Sequence, residues 1–269
     1  MKTPDDLQRV LLCIGGHDPS GGAGIQADAE AARAAGVHAC SVVSCLTSQD
    51  TCGISGLWPQ KAEQVENQCH RILADSPVGA LKIGILGDSR VVRILCDLAN
   101  EHPELPLILD PVLATGNGQQ IADAALLNKM RNNLLEHCTL VTPNLPEAQT
   151  LSSFKEPDGC AHRLLKTGCS WVLITGTHAP GDEVINQLYG HDGSHRQWSW
   201  PRLPGEYHGS GCTLASAIAA RIVLGMDIQD AAAEAQSYTW ESLSRARRTG
   251  RCRLTPNRLF ALDAEKPGE

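Results

Sequence analysis

The sequence predicts a three-layer α/β/α protein with a mostly parallel central sheet and helices on both faces. Three observations carry that prediction. Short apolar runs without alternation, at residues 10–14, 78–85 and 171–174 among others, have the pattern of strands buried on both faces. Segments with helical periodicity lie between them, so strand and helix alternate along the chain. Polar or glycine-rich punctuation follows the runs at 15–24, 47–51, 110–118, 142–147 and 175–178, where the carboxyl ends of parallel strands would open onto one edge.

Taken in order, strand 10–14 ends at Gly15-Gly16, and Asp18-Pro19-Ser20-Gly21-Gly22-Ala23-Gly24 forms a glycine-dense loop before a helix over 25–35 that Gly36 stops. Strand 39–46 leads into a polar loop, 47–51, and a helix over 61–74. Strand 78–85, helix 89–100 and strand 105–109 repeat the alternation, the last ending at Asp110-Pro111. Helix 122–135 is followed by strand 138–141, short helices at 146–152 and 158–167, and strand 171–174. Residues 184–189 and 196–200 flank His191-Asp192-Gly193-Ser194, a hairpin turn signal. Helices 211–224 and 228–246 precede an irregular basic tail from about residue 247. No repeat or long linker divides the chain, so a single domain over 1–269 is expected. The only hairpin candidate, 184–200, is too short for a separate lid domain.

With 42% hydrophobic and 20% charged residues the composition is that of an ordinary globule. A net charge of −7 with no basic stripe argues against nucleic acid or an anionic membrane surface as partner. The 11 cysteines are odd in number and include no Cys-x-x-Cys pair. Cys13, Cys40, Cys45, Cys69, Cys96, Cys138 and Cys169 lie in apolar or helical stretches, which points to reduced thiols used as small hydrophobes. The run at 10–14, behind Asp5 and Asp6, is too short and too acidic in front for a signal peptide, so a cytoplasmic location is expected.

Chemistry concentrates at Gly209-Ser210-Gly211-Cys212-Thr213, a small-residue loop running straight into an Ala-rich helix. Unobstructed amides and the positive end of a helix make an anion site, for which phosphate is a natural occupant. Cys212 sits at that helix start, where the thiolate is expected to be favoured and able to act as base or nucleophile. Neither a P-loop signature nor G-x-G-x-x-G before a helix is present, so any ATP would be held through this late loop.

Several segments together resemble the hydroxymethylpyrimidine/phosphomethylpyrimidine kinases of thiamine biosynthesis, members of the ribokinase-like superfamily. They are residues 16–28 (GHDPSGGAGIQAD), 46–51 (LTSQDT), 82–86 (KIGIL), 110–112 (DPV), 142–148 (TPNLPEA) and 208–213 (HGSGCT), in the family's order. The resemblance implies ATP as co-substrate, Mg²⁺, a small pyrimidine substrate and a homo-oligomer, a dimer. It implies Cys212 as the base for the substrate hydroxyl and the amides of Gly209, Ser210, Gly211 and Cys212 as the cradle for the transferred phosphoryl group, with Ser210 and Thr213 binding ATP phosphate. Asp110 and Glu147 would order metal and phosphate, with Asn144 and Thr175 on the ATP side. Gln49 would read the aminopyrimidine, Asp28 would place the hydroxyl, and Gly16, Ile85 and Val112 would border the ring.

Three departures from the family pattern stand out. Thr175-Gly176-Thr177-His178 lies where many members read Lys-Gly-Gly-His, and Ala114-Thr115-Gly116-Asn117-Gly118 replaces a segment that commonly carries Lys-Ser-Gly. The glycine-rich C-terminal ending is replaced by a tail with Arg245, Arg247, Arg248 and Arg251. A pyridoxine or pyridoxal kinase on the same scaffold, and a non-catalytic pyrimidine-binding protein, are the competing readings.

Overall fold

The structure is a computed structural model and describes residues 8–114, 118 and 120–263. Asp5, Asp6 and, in the segment that departs from the family pattern, Thr115, Gly116 and Asn117 lie outside the described residues.

Strand β1 (Val10–His17) carries Leu11 and Cys13 to one face and Leu12 and Ile14 to the other, and all four are buried. Helix α1 (Gly24–Ala34) then returns the chain to β2 (His38–Asp50), which pairs parallel with β1. The expected loop at 47–51 is instead the end of β2, which turns back antiparallel into β3 (Gly53–Pro59). The reason is local: the Asp50 carboxylate accepts the amides of Cys52 and Gly53 and closes the turn.

After α2 (Ala62–Asp75) the chain crosses to the opposite side of β1, where β4 (Val78–Ile83) pairs parallel with it. Helix α3 (Ser89–Glu101), β5 (Leu107–Leu109), α4 (Ala124–Lys129), β6 (Leu140–Val141), α5 (Leu145–Ser152), α6 (Pro157–Leu165) and β7 (Trp171–Ile174) continue outward. The helix expected over 122–135 changes winding, passing from α4 into a π turn at Met130–Leu134 and a 3₁₀ turn at Leu135–His137. The expected hairpin forms as β8 (Glu183–Gly190) and β9 (His195–Pro201), antiparallel to β7 and to each other. One sheet results, ordered β3-β2-β1-β4-β5-β6-β7-β8-β9. The direction of chain progress reverses between β1 and β4, the place where such sheets open a crevice.

Helices α2 to α6 cover one face over Leu12, Ile14, Leu81, Ile83, Leu109 and Val141. The other face is covered by α1, α7 (Ser210–Val223) and α8 (Ile228–Ser244) over Leu11, Cys13, Ala80, Ile108, Leu140 and Leu173. The alanines of α7 have a physical use. Every residue from Leu214 to Ala220 is buried between sheet, α1 and α8, and small side chains let α7 lie close to all three. Beyond α8 the tail is irregular except for a short α9 (Phe260–Asp263), yet it is docked, bridging Tyr207 to Leu254 and Arg247 to Thr255.

The seven cysteines singled out from sequence are free, and all but Cys40 and Cys96 are buried. The reading that all cysteines are reduced is corrected at one place: Cys52 and Cys252 form a disulfide across 200 residues of sequence. No local spacing could announce it, because it depends on the tail docking beside the β2–β3 turn. Among the described residues, no helix is long and apolar enough to cross a membrane.

Candidate active site

The loops beyond β1, β4, β5, β6 and β7 open on one edge and, with the start of α7, enclose a cavity of about 770 Å³. Its floor is the switch point between β1 and β4. There Gly16 lets the backbone approach closely, since a Cβ would overlap the side chains of Ile85 and Cys45.

Two glycine loops interlock at that floor. Gly209 caps α7 with φ +82°, and a Cβ there would run into the Gly22 carbonyl. Arg258, from the tail, is buried beneath them. Its guanidinium donates to the carbonyls of Gly21 and Gly22 and to the Thr213 hydroxyl, and it pairs with Glu30 at 2.9 Å. Thr213 is thereby spoken for, because its amide and hydroxyl both donate to the Gly209 carbonyl at 3.0 and 2.7 Å. It supports the loop from behind instead of facing the cavity. The amides of Ser210, Gly211 and Cys212 have no acceptor among the described residues, so the helix start presents free donors to the cavity.

Beside those donors lies a buried charge cluster. Lys82, with no solvent exposure, places Nζ 2.7 Å from Asp28 Oδ1 and 3.8 Å from Asp110 Oδ2. Ser216 of α7 donates a second hydrogen bond to Asp28 Oδ1 at 2.7 Å. Burial would discharge the lysine, but attraction to Asp28, Cys212 and Asp110 outweighs it and holds the ammonium charged. Asp28 Oδ2 and Asp110 Oδ2 are buried without hydrogen-bond partners, which leaves two acceptors beside the cavity. The expected low-pKa thiol at Cys212 is corrected here. Burial pushes it up to about 12, with Asp110 and Asp28 adding and Lys82 and the Gly24 amide opposing. The helix start does not overcome desolvation next to two carboxylates.

Glu147 forms a capping box with Asn144 at the start of α5: the Glu147 amide donates to Asn144 Oδ1 at 2.9 Å and the Asn144 amide to Glu147 Oε2 at 3.0 Å. Burial, with added repulsion from Asp110, raises its carboxyl to about 8, and burial likewise raises Asp110. Two crowded carboxylates with an orphaned oxygen suit a divalent cation that takes its remaining ligands from phosphate and water. No group of three or more His, Cys, Asp or Glu side chains among the described residues forms an all-protein cage.

Gln49 reaches the other end of the cavity from β2. Its amide end lies 2.8 Å from His208 Nε2, which is 2.7 Å from Asp18 Oδ2. Asp18 also accepts from the amides of Ser20 and Ala23, tying the early loop to the residue before Gly209. Burial alone would raise the Asp18 carboxyl, but the bonds from His208 and Ser20 bring it down to about 2. Half-buried Ile85 and Val112 form apolar wall nearby.

A family profile described as phosphomethylpyrimidine kinase matches residues 18–257. The chain belongs to that family. It is 36% identical over 261 residues to the hydroxymethylpyrimidine/phosphomethylpyrimidine kinase of Mycobacterium tuberculosis, covering 94% of both chains. To the enzyme of the same name from Streptomyces coelicolor it is 34% identical, covering 88% of this chain and 89% of the relative. Among solved structures it resembles phosphomethylpyrimidine kinase from Clostridium difficile, with TM-score 0.77, 27% identity, and 88% and 100% of the two chains covered. The ADP complex of Bacillus subtilis pyridoxal kinase aligns with TM-score 0.85 over 93% and 97%; at 22% identity it shares the fold.

For a phosphomethylpyrimidine kinase family member, the sequence-predicted site is brought together almost whole. Gly16, Asp28, Gln49, Ile85, Asp110, Val112, Asn144, Glu147, Thr175, Gly209, Ser210, Gly211 and Cys212 all line the cavity, and Thr213 does not. Sequence reasoning missed Lys82 as a charge centre, although a lysine inside the apolar run 78–85 signals that a buried partner is needed. It missed Arg258, which carries no sequence signal. It also missed Arg202, which lines the cavity and donates to the carbonyls of Thr177, Ala179, Gly181 and Glu183, fastening the loop whose family lysine is Thr175 here.

Proposed function

We propose that the protein transfers the γ-phosphoryl group of ATP to the hydroxymethyl group of 4-amino-5-hydroxymethyl-2-methylpyrimidine, and then phosphorylates the monophosphate to the diphosphate. One observation carries the reading: unpaired amides at the start of α7 share a cavity with Cys212, an orphaned Asp28 oxygen and Gln49.

Phosphoryl transfer needs positioning and charge neutralisation more than covalent chemistry. The Ser210, Gly211 and Cys212 amides receive the charge that spreads over the transferred group. Asp28 Oδ2 accepts from the hydroxyl and holds it toward Cys212. Cys212 takes the hydroxyl proton as its thiolate, a small fraction of the resting enzyme that Lys82 stabilises against Asp28 and Asp110. Gln49 presents amide oxygen and nitrogen in one plane to the ring nitrogen and exocyclic amine, between the walls of Ile85 and Val112. Asn144 and Thr175, joined by a bridge between the ends of β6 and β7, border the nucleotide side. Asp110 and Glu147 would hold Mg²⁺, which would supply positive charge to neutralise the phosphates.

We further place the protein in the cytoplasm, without nucleic-acid partners, and as a homodimer. Support for pairing comes from the exposed cross-strand neighbours Leu46 and Trp58 on β2 and β3, 45% and 55% accessible.

The test is a panel of the hydroxymethylpyrimidine, its monophosphate and pyridoxal with ATP and Mg²⁺, resolving mono- and diphosphate products. Turnover of both pyrimidines with the higher kcat/KM is expected. Preferential turnover of pyridoxal would select the vitamin B6 alternative, and binding without turnover the non-catalytic one.

A further inference from the structure

Cys52 lies in the β2–β3 turn, three residues beyond Gln49, and Cys252 lies in the C-terminal tail. Their disulfide joins the two at a contact that is otherwise lightly held. The Arg253 amide donates to the Thr51 carbonyl and the Cys252 amide to the Thr51 hydroxyl, each at a long 3.3 Å. From this contact the tail continues into the cavity wall. The Leu254 amide donates to the Glu206 carbonyl and the His208 amide to the Leu254 carbonyl, both at 2.9 Å, and Arg253 lines the cavity beside Glu206. This tail strap therefore holds His208 through Leu254, and His208 touches Gln49. Farther along, Arg258 is anchored independently under the glycine loops. Cys252 is exposed and flanked by Arg251 and Arg253, a setting that favours attack by a thiolate. In the reducing compartment expected for this chain, a disulfide that forms is usually a transient, catalytic or sensing one.

We propose that Cys52 and Cys252 form a reversible thiol–disulfide exchange site whose partner is a dithiol reductant, and that its oxidation state sets how firmly the tail closes the pyrimidine end of the cavity. The second half rests on the function proposed above. In the forward step a dithiol's thiolate attacks Cys252 Sγ and a mixed disulfide forms. The Cys52–Cys252 bond breaks with its electron pair on the Cys52 sulfur, which takes a proton. The reductant's second thiol then closes its own ring disulfide and releases Cys252 as a thiol, so two electrons pass from dithiol to protein. Residues 247–255 lose their tie to the β2–β3 turn while Arg258 stays in place, and Gln49 and His208 are less often set for the ring.

The experiment compares the full-length protein equilibrated with oxidised and with reduced dithiothreitol. It reads alkylation of each cysteine by mass spectrometry, hydrogen exchange of 247–255, and KM and kcat for the hydroxymethylpyrimidine. In the oxidised state Cys52 and Cys252 should resist alkylation. Reduction should expose both, speed exchange across the strap, and raise KM about tenfold while kcat stays within about twofold. Cys52→Ser and Cys252→Ser variants should show the reduced behaviour under both conditions. Full alkylation of both cysteines in the oxidised sample, or equal exchange and equal KM in the two states, would overturn the proposal. If the pyrimidine is not turned over, the alkylation and exchange readings still decide the exchange site, and only the functional reading falls.

Discussion

Replacing Lys82 with methionine removes the one ammonium in a cluster that also contains Asp28, Asp110 and Cys212. The methionine fills the same volume, so the loss is electrostatic. In the wild type Asp28 Oδ1 receives bonds from Lys82 and Ser216, while Oδ2 has no partner. After Lys82→Met the carboxylate keeps only the Ser216 hydroxyl in a site without solvent exposure. Breaking a buried pair from one side typically destabilises by about 3–5 kcal/mol. The second carboxylate adds to the strain, since Asp110 sits 3.8 Å from the ammonium and loses its nearest cation. Lys82→Met/Asp28→Asn should recover part of the loss, because the amide no longer needs a counter-charge, with a coupling of about 2 kcal/mol. Urea unfolding followed by circular dichroism measures Lys82→Met, Asp28→Asn and the double variant against wild type. A loss below about 1 kcal/mol for Lys82→Met, or strict additivity in the cycle, would refute the claim that Lys82 balances this cluster.

Two further outcomes are expected. Asp18, held down to about 2 by His208 and Ser20, contributes stability that is present above its unfolded value and lost as pH falls through about 2. Asp18→Asn should remove about 2 kcal/mol at neutral pH and flatten the acid limb of unfolding between about pH 4 and 2, read by thermal melts across that range. Arg202 gathers four carbonyls of the 177–183 loop, so Arg202→Ala should raise KM for ATP about tenfold and leave KM for the pyrimidine unchanged. Lysine at that position should not restore it, for want of the forked donor; an unchanged ATP KM would contradict the assignment.

The layers were legible because buried parallel strands leave unbroken apolar runs and helices leave a 3.6-residue period, signals local to each element. The β2–β3 hairpin was not, because Thr47, Ser48, Gln49 and Asp50 are all polar, with Ser48 and Asp50 exposed, and read as loop; their pairing is fixed by the Asp50 turn and the partner strand. The site's backbone devices were legible for a similar reason, since Gly16 and Gly209 mark places where a Cβ cannot go. What stayed hidden depends on long-range packing. Arg258 meets Gly21 across most of the chain, Cys52 meets Cys252 across 200 residues, and the acidity of Cys212 follows from neighbours on three other elements. The helix-start argument for a thiolate was sound locally, but burial beside Asp110 outweighs it.

The central claim is that Cys212 takes the proton from the pyrimidine's hydroxymethyl group while the α7 amides hold the phosphoryl group. The most direct measurement is single-turnover phosphorylation of that pyrimidine by wild type and Cys212→Ala, with pyrimidine binding followed by calorimetry and the wild-type rate followed from pH 6 to pH 9. The account predicts a rate lower by about two or more orders of magnitude for the variant, binding nearly unchanged, and a wild-type rate that climbs with pH as the thiolate fraction grows. Full turnover by Cys212→Ala, or a wild-type rate that ignores pH over that range, would contradict it.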